Sequence, residues 1–407
     1  MWVIVLFRPE GRNHRIITGD EHVIYQMPSV RAEEQAALAR INKVHRQLRS
    51  YVSQPRRWLG LVRRVLSARA IQGSNSIEGY NVSVEDAVAA IEGDQPSEAE
   101  REDWEAVLGY RRAMTYVLQM ESDPHFRLTP ELLRSLHYMM TEYSLPAGPG
   151  LWRNQHVWVR NSATGDVVYE APNASQVPRL IDDLIAQLTD PTEIPAIIRG
   201  AMAHLNLVMI HPFRDGNGRM ARCLQTLVLA REGLLAQEFS SIEEYLGRNT
   251  EEYYRVLGEV GQGRWNPQND ARLWIRFCLK AHFVQASSVL RRVQEWEATW
   301  RRVEDLVDSH RLPERAFVPL FDAAMGLRVR NSGYRASLKM MEGEEISNQV
   351  ASNDLRAMVT SGLLERRGKK RGTYYVSGPP LVHVRNEVRA GRAGTIDTSD
   401  LFKTEAA

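Results

Sequence analysis

The sequence predicts a mainly α protein: a helical core with a single β-hairpin set into it, then a small C-terminal module of helices and two strands. Three observations predict it. Apolar residues recur at helical spacing over most of the 407 residues, with Leu38, Ile41, Val44 and Leu48 the first such stripe. Pro55, Pro96, Pro124, Pro130 and Pro146 stand between or just inside these runs, as helix breakers and starters do. Within the core only His156-Val157-Trp158-Val159 and Asp166-Val167-Val168-Tyr169 read as strands, and Asn161, Ser162 and Thr164-Gly165 between them suit a turn.

Taken in order, residues 1–27 look extended, with Val3-Ile4-Val5 and His22-Val23-Ile24-Tyr25 rich in strand formers. Met27 stands directly before the first helical pattern, where an alternative start would lie. Helices are expected from Ala32 to about Ser53, then over 56–72, 83–92, 98–121 and 129–143. The loop 145–155 and the hairpin follow, and helices resume over 175–189, 195–209, 217–232, 250–261 and 268–308. Pro313 begins a different segment, with helices expected over 315–327, 333–342 and within 345–363. A strand from Leu364, a basic glycine-containing turn and the aromatic strand Tyr374-Tyr375-Val376 come next, an order that resembles a winged helix. Beyond Pro379 the periodic signal is weak, and the last fifteen residues read as a frayed tail. The expected organisation is therefore an N-terminal helical region over 1–110, a catalytic core over 111–290, a helical linker over 291–312, the winged-helix-like module over 313–378 and a tail over 379–407.

Composition narrows the function classes. With 43% hydrophobic and 25% charged residues the chain is ordinary globular material. Lys plus Arg is 52 against 50 Asp plus Glu, a formal charge of +2, so a histone-like basic coat is excluded. Cys223 and Cys278 are too few for a disulfide framework and fit a reducing compartment. The apolar opening Met1 to Phe7 falls far short of a membrane span and lacks a basic leader, so a cytoplasmic protein with no membrane partner is expected.

The stretch that carries chemistry is His211-Pro212-Phe213-Arg214-Asp215-Gly216-Asn217-Gly218-Arg219-Met220-Ala221-Arg222. An apolar helix ends at Ile210, Pro212 forbids its continuation, and a Gly-Asn-Gly turn opens onto a second helix. Such a turn aligns successive backbone N–H groups, and with the positive helix end it forms a nest for an anion. Arg219 and Arg222, three apart, can both reach phosphate oxygens from one side of that helix. Asp215 at the mouth suits a hard divalent cation, and His211 is the nearby group that titrates closest to neutral pH. Together these parts suit nucleotidyl or phosphoryl transfer. Simpler readings compete: a histidine after a buried helix is most often a core histidine, and a lone Gly-x-Gly is usually a turn. A calcium loop fails because its twelfth position would be Arg222, no Gly-Lys-Ser/Thr of a Walker loop follows, and His204, His211 and Cys223 lack zinc-ligand spacing.

The stretch resembles the signature of the Fic family, His-Pro-Phe-x-Asp/Glu-Gly-Asn-Gly-Arg-x-x-Arg, at every specified position. Nine specified residues at roughly one in twenty each make chance negligible. The likeness extends over roughly residues 30–290. It implies a Fic helical core with a hairpin flap, and transfer of AMP from ATP to a Ser, Thr or Tyr hydroxyl of a protein substrate. By motif position it implies His211 as general base and Asp215 as the Mg²⁺ ligand, with Gly216, Asn217 and Gly218 as anion hole. Arg219 and Arg222 would hold phosphates, Met220 and Ala221 would belong to the same nucleotide-binding stretch, and Phe213 would anchor the loop from the core.

A second motif, Ser74-Asn75-Ser76-Ile77-Glu78-Gly79, resembles the inhibitory Ser/Thr-x-x-x-Glu-Gly/Asn sequence of the family class that carries it N-terminal to the core. The resemblance implies an ion pair from Glu78 to Arg222 in the place of a γ-phosphate, or a use of Glu78 in removing AMP. Alone, so loose a pattern is common. The hairpin over 156–170 matches the family's flap, and its free edge would take an extended target segment by β-augmentation, unless it simply closes the core. Tyr253 and Tyr254 lie where the resemblance expects an adenine pocket, and Tyr254 is the candidate base-pocket residue.

Residues 313–378 hold eleven Lys/Arg against seven Asp/Glu, with Arg366, Arg367, Lys369, Lys370 and Arg371 in one turn. In a winged helix that turn meets phosphate, while Ser347, Asn348, Gln349, Ser352, Asn353 and Arg356 on the third helix reach base edges. DNA is thus an expected partner, with protein contact as the competing use. A DNA-binding regulator with a nucleotide-sensing core is the reading from a different functional class, and pairing of two cores in a homodimer is a further expectation.

Overall fold

The computed structural model describes residues 2–6, 23–53, 56–96, 99–161, 164–190, 192–233, 236–391 and 394–404. His22, Pro55, Ser162 of the expected turn and the last three residues of the expected tail lie outside these ranges. Strand β1 (Trp2–Leu6) comes first, followed by helices α1 (Ala32–Val52), α2 (Leu59–Ile77), α3 (Val84–Glu92), α4 (Arg101–Gln119) and α5 (Pro130–Thr141). The hairpin is β2 (Val157–Asn161) and β3 (Val167–Glu170). Then come α6 (Val177–Thr189), α7 (Ala196–Ile210), α8 (Asn217–Arg231), α9 (Gln237–Ser240), α10 (Glu243–Arg248), α11 (Thr250–Gly261) and α12 (Arg272–Ser309). The C-terminal part holds α13 (Phe317–Met325), α14 (Asn331–Glu342), α15 (Asn348–Thr360), the pair β4 (Leu364–Arg367) and β5 (Tyr374–Ser377), and α16 (Pro379–Ala390).

Helix α7 is buried along nearly its whole surface, and its successor α8 shares that core. This explains why α7 reads as an apolar run rather than as an amphipathic stripe. The expected Val23-Ile24-Tyr25 strand does not form. Instead the Asn206 side chain accepts from Tyr25 N at 2.9 Å and donates to Tyr25 O at 3.0 Å, serving as the backbone partner a strand would have had.

Helix α2 runs five residues past its expected end at 72, through Ser74, Asn75 and Ser76. Tertiary contact overrides the weak propensity of those residues. At Gly73 the helix crosses α10 so closely that a β-carbon there would lie 2.6 Å from Glu243 O, and one on Gly247 would lie 2.7 Å from Gly73 O. Neither α9 nor α10 is legible as a separate helix, because each is too short for a period.

The hairpin edge expected to be free is occupied. β1 pairs antiparallel with β2, from Trp2 opposite Asn161 to Leu6 opposite Val157, giving the order β1-β2-β3. An edge strand presents unpaired N–H and C=O groups, and here the chain's own Val-Ile-Val run meets them. On the far side, Glu170 N donates to Gly263 O and Trp265 N to Glu170 O, each at 2.9 Å, covering one end of β3.

Helix α12 runs without a break from Arg272 to Ser309, and one boundary differs from the expectation: residues after 378 are not a loose tail. Leu381 and Val384 of α16 are buried against the C-terminal helices, and Leu401 returns to the catalytic-side core beside α1. In the C-terminal part, three helices precede the antiparallel β4-β5 pair, and Val329 bridges Tyr375 as a third short edge. Its apolar core is shared with the first half of α2 (Leu61, Val62, Val65) and the second half of α12 (Val293, Trp300, Val303).

Arg64 ties the first half of α2 to this C-terminal core. It is buried and pairs with both Glu92 and Asp322, and it also donates to Ser337 Oγ. Arg64→Ala leaves two buried carboxylates facing each other, and a loss of about 3–5 kcal/mol is expected. Urea unfolding of the purified variant checks it; a loss below about 1 kcal/mol would place the anchor elsewhere.

Candidate functional site

A cavity of about 500 Å³ opens where the α7–α8 junction meets the end of α2, the hairpin and α11. That is the ordinary size for a small-molecule site. His211, Asp215, Gly216, Asn217, Gly218, Glu78, Tyr80 and Tyr254 all line it.

His211 caps α7 in the left-handed conformation (φ 52°), its N–H closing on Leu207 O at 3.0 Å. Non-glycine residues take that conformation mostly where surrounding structure holds them. Arg153 does the holding: its Nε donates to His211 O at 2.7 Å, its backbone N to Pro212 O at 2.9 Å and its NH1 to Gln155 O at 2.9 Å. The His211 ring lies 3.1 Å from Val208 O through Nδ1, which fixes the proton there. Nε2 is left buried, without a hydrogen-bond partner among the described residues and with its lone pair turned from the protein's donors. Burial lowers the His211 pKa to about 4, so the ring is neutral near pH 7 and can accept a proton.

The loop after it is braced from behind. Phe213 is fully buried and stacks on His137, centroids 3.7 Å apart and planes 7° apart. His137 Nδ1 accepts from Gly150 N at 2.9 Å, so its Nε2–H donates to Asp215 O at 3.0 Å. The Asn217 amide accepts from Phe213 N at 2.9 Å and donates to Phe213 O at 3.0 Å, so its side chain stiffens the loop. Asp215 is half-exposed; its Oδ1 accepts from Gly216 N at 2.7 Å and its Oδ2 lies 3.9 Å from Arg219 NH2. Gly216 caps α8, whose first N–H groups therefore face the cavity. Arg219 is fully buried, and its Nε and NH2 have no hydrogen-bond partner among the described residues.

The end of α2 delivers the second motif to this point. Arg222 Nε donates to Ser74 Oγ at 2.7 Å, and NH2 donates to Ser74 O at 2.9 Å and to Glu78 Oε1 at 2.7 Å. Burial alone would lower the Arg222 pKa, but the Glu78 carboxylate together with the Tyr253 and Tyr110 hydroxyls more than offsets it and the net shift is upward. Glu78 Oε1 sits so close over Gly218 that any β-carbon there would collide with it. The carboxylate thus rests against the amino end of α8, where an anion is favoured.

Met220 and Ala221 turn the other way, as residues one and two positions beyond Arg219 on a helix must. Both side chains are in the core, and the Met220 N–H is used by Gly216 O at 2.9 Å. Tyr254 borders the apolar side of the cavity with Met209 and Leu257, its hydroxyl 3.5 Å from Ile77 O. Behind Arg222 lies a buried polar layer. His204 Nδ1 is 2.7 Å from Gln225 Oε1 and Nε2 is 3.0 Å from the Tyr253 hydroxyl. Tyr110 OH donates to Glu243 Oε1 at 2.9 Å, and burial raises Glu243 to about 7. Arg153, His137, Tyr80, Tyr143 and Glu243 carry no sequence signal as site residues, since each meets the loop (Arg153, His137) or α8 (Tyr80 and Tyr143 at Arg219, Glu243 at Thr226) from a distant part of the chain. Among the described residues no group of three or more His, Cys, Asp or Glu side chains could hold a metal ion.

Five histidines, His45, His137, His204, His211 and His282, are held by burial at about 3 to 4, against 6.5 in an unfolded chain. Below pH 6.5 the unfolded state therefore binds protons that the folded state refuses. Stability falls with pH by up to about 1.4 kcal/mol per unit for each of them, until about pH 4. Glu243, raised to about 7, works in the opposite sense, as do Glu92, Glu238 and Asp322, which burial also raises, while Glu34 and Glu244, lowered by their arginine partners, act with the histidines. The urea midpoint is expected to be lower at pH 5 than at pH 7, and equal midpoints would contradict this account.

Residues 127–229 match the model of the Fic/DOC family. The chain is similar to "Protein adenylyltransferase Fic" of Nematostella vectensis, 28% identical over 290 residues, which are 70% of this chain and 62% of that protein. It is also similar to "Protein adenylyltransferase fic-1" of Caenorhabditis elegans, 29% identical over 161 residues, 39% of this chain and 30% of that protein. The chain thus spans less than two thirds of the length of these curated relatives. A crystal structure of a Fic family protein from Desulfovibrio desulfuricans G20 shares the fold, with a TM-score of 0.51 at 21% identity over 87% of this chain and 99% of that one.

Proposed function

We propose that this chain, whose residues 127–229 form a Fic/DOC domain, is a protein adenylyltransferase that moves AMP from ATP to a Ser, Thr or Tyr hydroxyl of a target protein and is restrained by its own Glu78. One observation carries the reading: His211, whose Nε2 has no hydrogen-bond partner among the described residues, shares a cavity with Gly216, Asn217 and Gly218 at the amino end of α8, with the buried Arg219 and Arg222 following on the same helix behind the cavity wall. In the step, the target O–H gives its proton to His211 Nε2 and the oxygen bonds to the α-phosphorus. The bond from that phosphorus to the bridging oxygen breaks, and pyrophosphate leaves with the electron pair. The N–H groups at Asn217 and Gly218 and the Arg219 guanidinium meet the charge that develops on phosphate oxygens, with the Gly216 N–H joining them when it leaves Asp215 Oδ1. Tyr254 and Leu257 suit the adenine face, both lining the apolar side of the cavity.

Asp215 fits Mg²⁺: it is a half-exposed carboxylate at the cavity mouth, and magnesium commonly takes one or two protein carboxylates while phosphates and waters supply the rest. When bound there the ion would neutralise phosphate charge. The restraint follows from Glu78, which takes Arg222 NH2 and the space over Gly218, so the terminal phosphate of a nucleotide lacks its cation. The test is label transfer to protein from α-³²P-ATP and, separately, from γ-³²P-ATP, using Glu78→Gly. Label from the α position alone is expected; label from γ alone would make the chemistry phosphoryl transfer.

Glu78 also lines the cavity beside His211, which supports hydrolytic removal of AMP as a second activity of the same site. Loss of label from a modified target on incubation with the wild-type chain would reveal it. For the C-terminal part, three helices followed by the β4-β5 pair support a winged-helix reading, and exposed Gln349, Asn353 and Arg356 on α15 with the basic turn over 366–371 support DNA as its partner. A gel shift on mixed genomic fragments should show binding that weakens with salt; no binding at low salt would remove this partner.

A further inference from the structure

We infer that Tyr80 is a positioning residue that holds the Arg219 guanidinium in place for nucleotide phosphate, an inference that rests on the nucleotide reading of the cavity. The end of α2 fixes Tyr80 in space. Gly79, at φ 90°, closes the helix in a Schellman motif: Gly79 N donates to Ser76 O and Tyr80 N to Asn75 O, both at 3.1 Å. This one turn sends Glu78 to Arg222 and, two residues later, the Tyr80 ring to Arg219. The Arg219 Cζ lies 4.9 Å from the Tyr80 ring centroid. Its NH1 donates to Tyr143 OH at 3.4 Å, and the Tyr143 and Tyr80 hydroxyls are 3.0 Å apart. The guanidinium is thus held by a ring on one face and a hydroxyl at one end, with the Asp215 carboxylate 3.9 Å from NH2.

Its Nε and NH2 stay buried without hydrogen-bond partners among the described residues, and NH2 lies beside the anion loop: a β-carbon on Gly216 would be 3.6 Å from it. A desolvated cation with two unused donors costs free energy unless something holds it, and a ring face offers attraction without consuming a donor. Tyr80 therefore differs from Glu78 in kind. Glu78 takes a donor from its arginine, whereas Tyr80 leaves the donors of Arg219 available to a ligand.

The test uses the full chain in a Glu78→Gly background and reads both ATP binding, by equilibrium dialysis with radiolabelled ATP, and the KM and kcat of label transfer. Tyr80→Ala is expected to raise the Kd and KM for ATP about tenfold while changing kcat less than threefold. Tyr80→Phe keeps the ring and is expected to stay within about threefold of the parent, because it gives up only the hydroxyl contact to Tyr143. Thermal unfolding of each variant identifies loss of fold. Unchanged Kd and KM in a folded Tyr80→Ala variant would overturn the inference. So would tighter ATP binding, which would make the ring an obstruction, or equal weakening by Ala and Phe, which would make the hydroxyl the operative group. If the Glu78→Gly parent binds ATP but transfers no label, the proposed activity fails while the binding arm still decides the role of Tyr80.

Discussion

Glu78→Gly is expected to raise the rate of AMP incorporation by about ten- to a hundredfold. The estimate follows from the contact that is lost. Arg222 NH2 meets Glu78 Oε1 at 2.7 Å in a buried setting, and a hydrogen bond between two charged groups is worth about 1.5–3 kcal/mol. That is roughly the bias a productive nucleotide must overcome to win the same guanidinium, and each 1.4 kcal/mol is about tenfold. The substitution also clears the space over Gly218 at the amino end of α8. Arg222 keeps its bonds to Ser74 Oγ and O, so the arginine stays oriented when the carboxylate is gone. Initial rates of label transfer at fixed Mg-ATP check the effect, and a rate equal to or below the wild type would contradict it.

His211→Ala in the same background is expected to lower the rate by about a hundred- to ten-thousandfold, the range a positioned general base contributes. Nucleotide affinity should change little, because the ring's polar partner is Val208 O rather than any group at the phosphate nest. The buried ring titrates at about 4, so the rate in the Glu78→Gly chain is expected to be flat between pH 6.5 and 8 and to fall only under more acid conditions. A rate that tracks a group near 6.5 would mean that the base is exposed when substrate binds. A variant that loses ATP binding along with the rate would assign His211 to the scaffold instead.

Legibility in the sequence followed the range of the interaction. The α7–α8 junction was readable because its determinants are contiguous: an apolar run, Pro212 as a stop and glycines at the turn. Glu78 was readable from its motif, although it lies 144 positions before Arg222 and nothing in between signals their meeting. Arg153 was not, since nothing local distinguishes an arginine that props up the carbonyls around His211 from one on a surface. Met220 and Ala221 show the complementary limit: membership of a motif does not put a side chain in the cavity, because successive helical positions differ by about 100°. The end of α2 was misplaced because its Ser-Asn-Ser run favours loops, and only the close crossing with α10 reveals why helix persists. The hairpin edge shows the same limit, since the segment that occupies it lies more than 150 residues earlier.

One experiment tests the central claim most directly: α-³²P-ATP label transfer by the wild-type chain, by Glu78→Gly, and by Glu78→Gly with His211→Ala, side by side. Strong protein labelling in the single variant, with little in the other two, is the expected result. Equal labelling by the wild type and Glu78→Gly would remove the restraint, and labelling that survives the loss of His211 would remove the base.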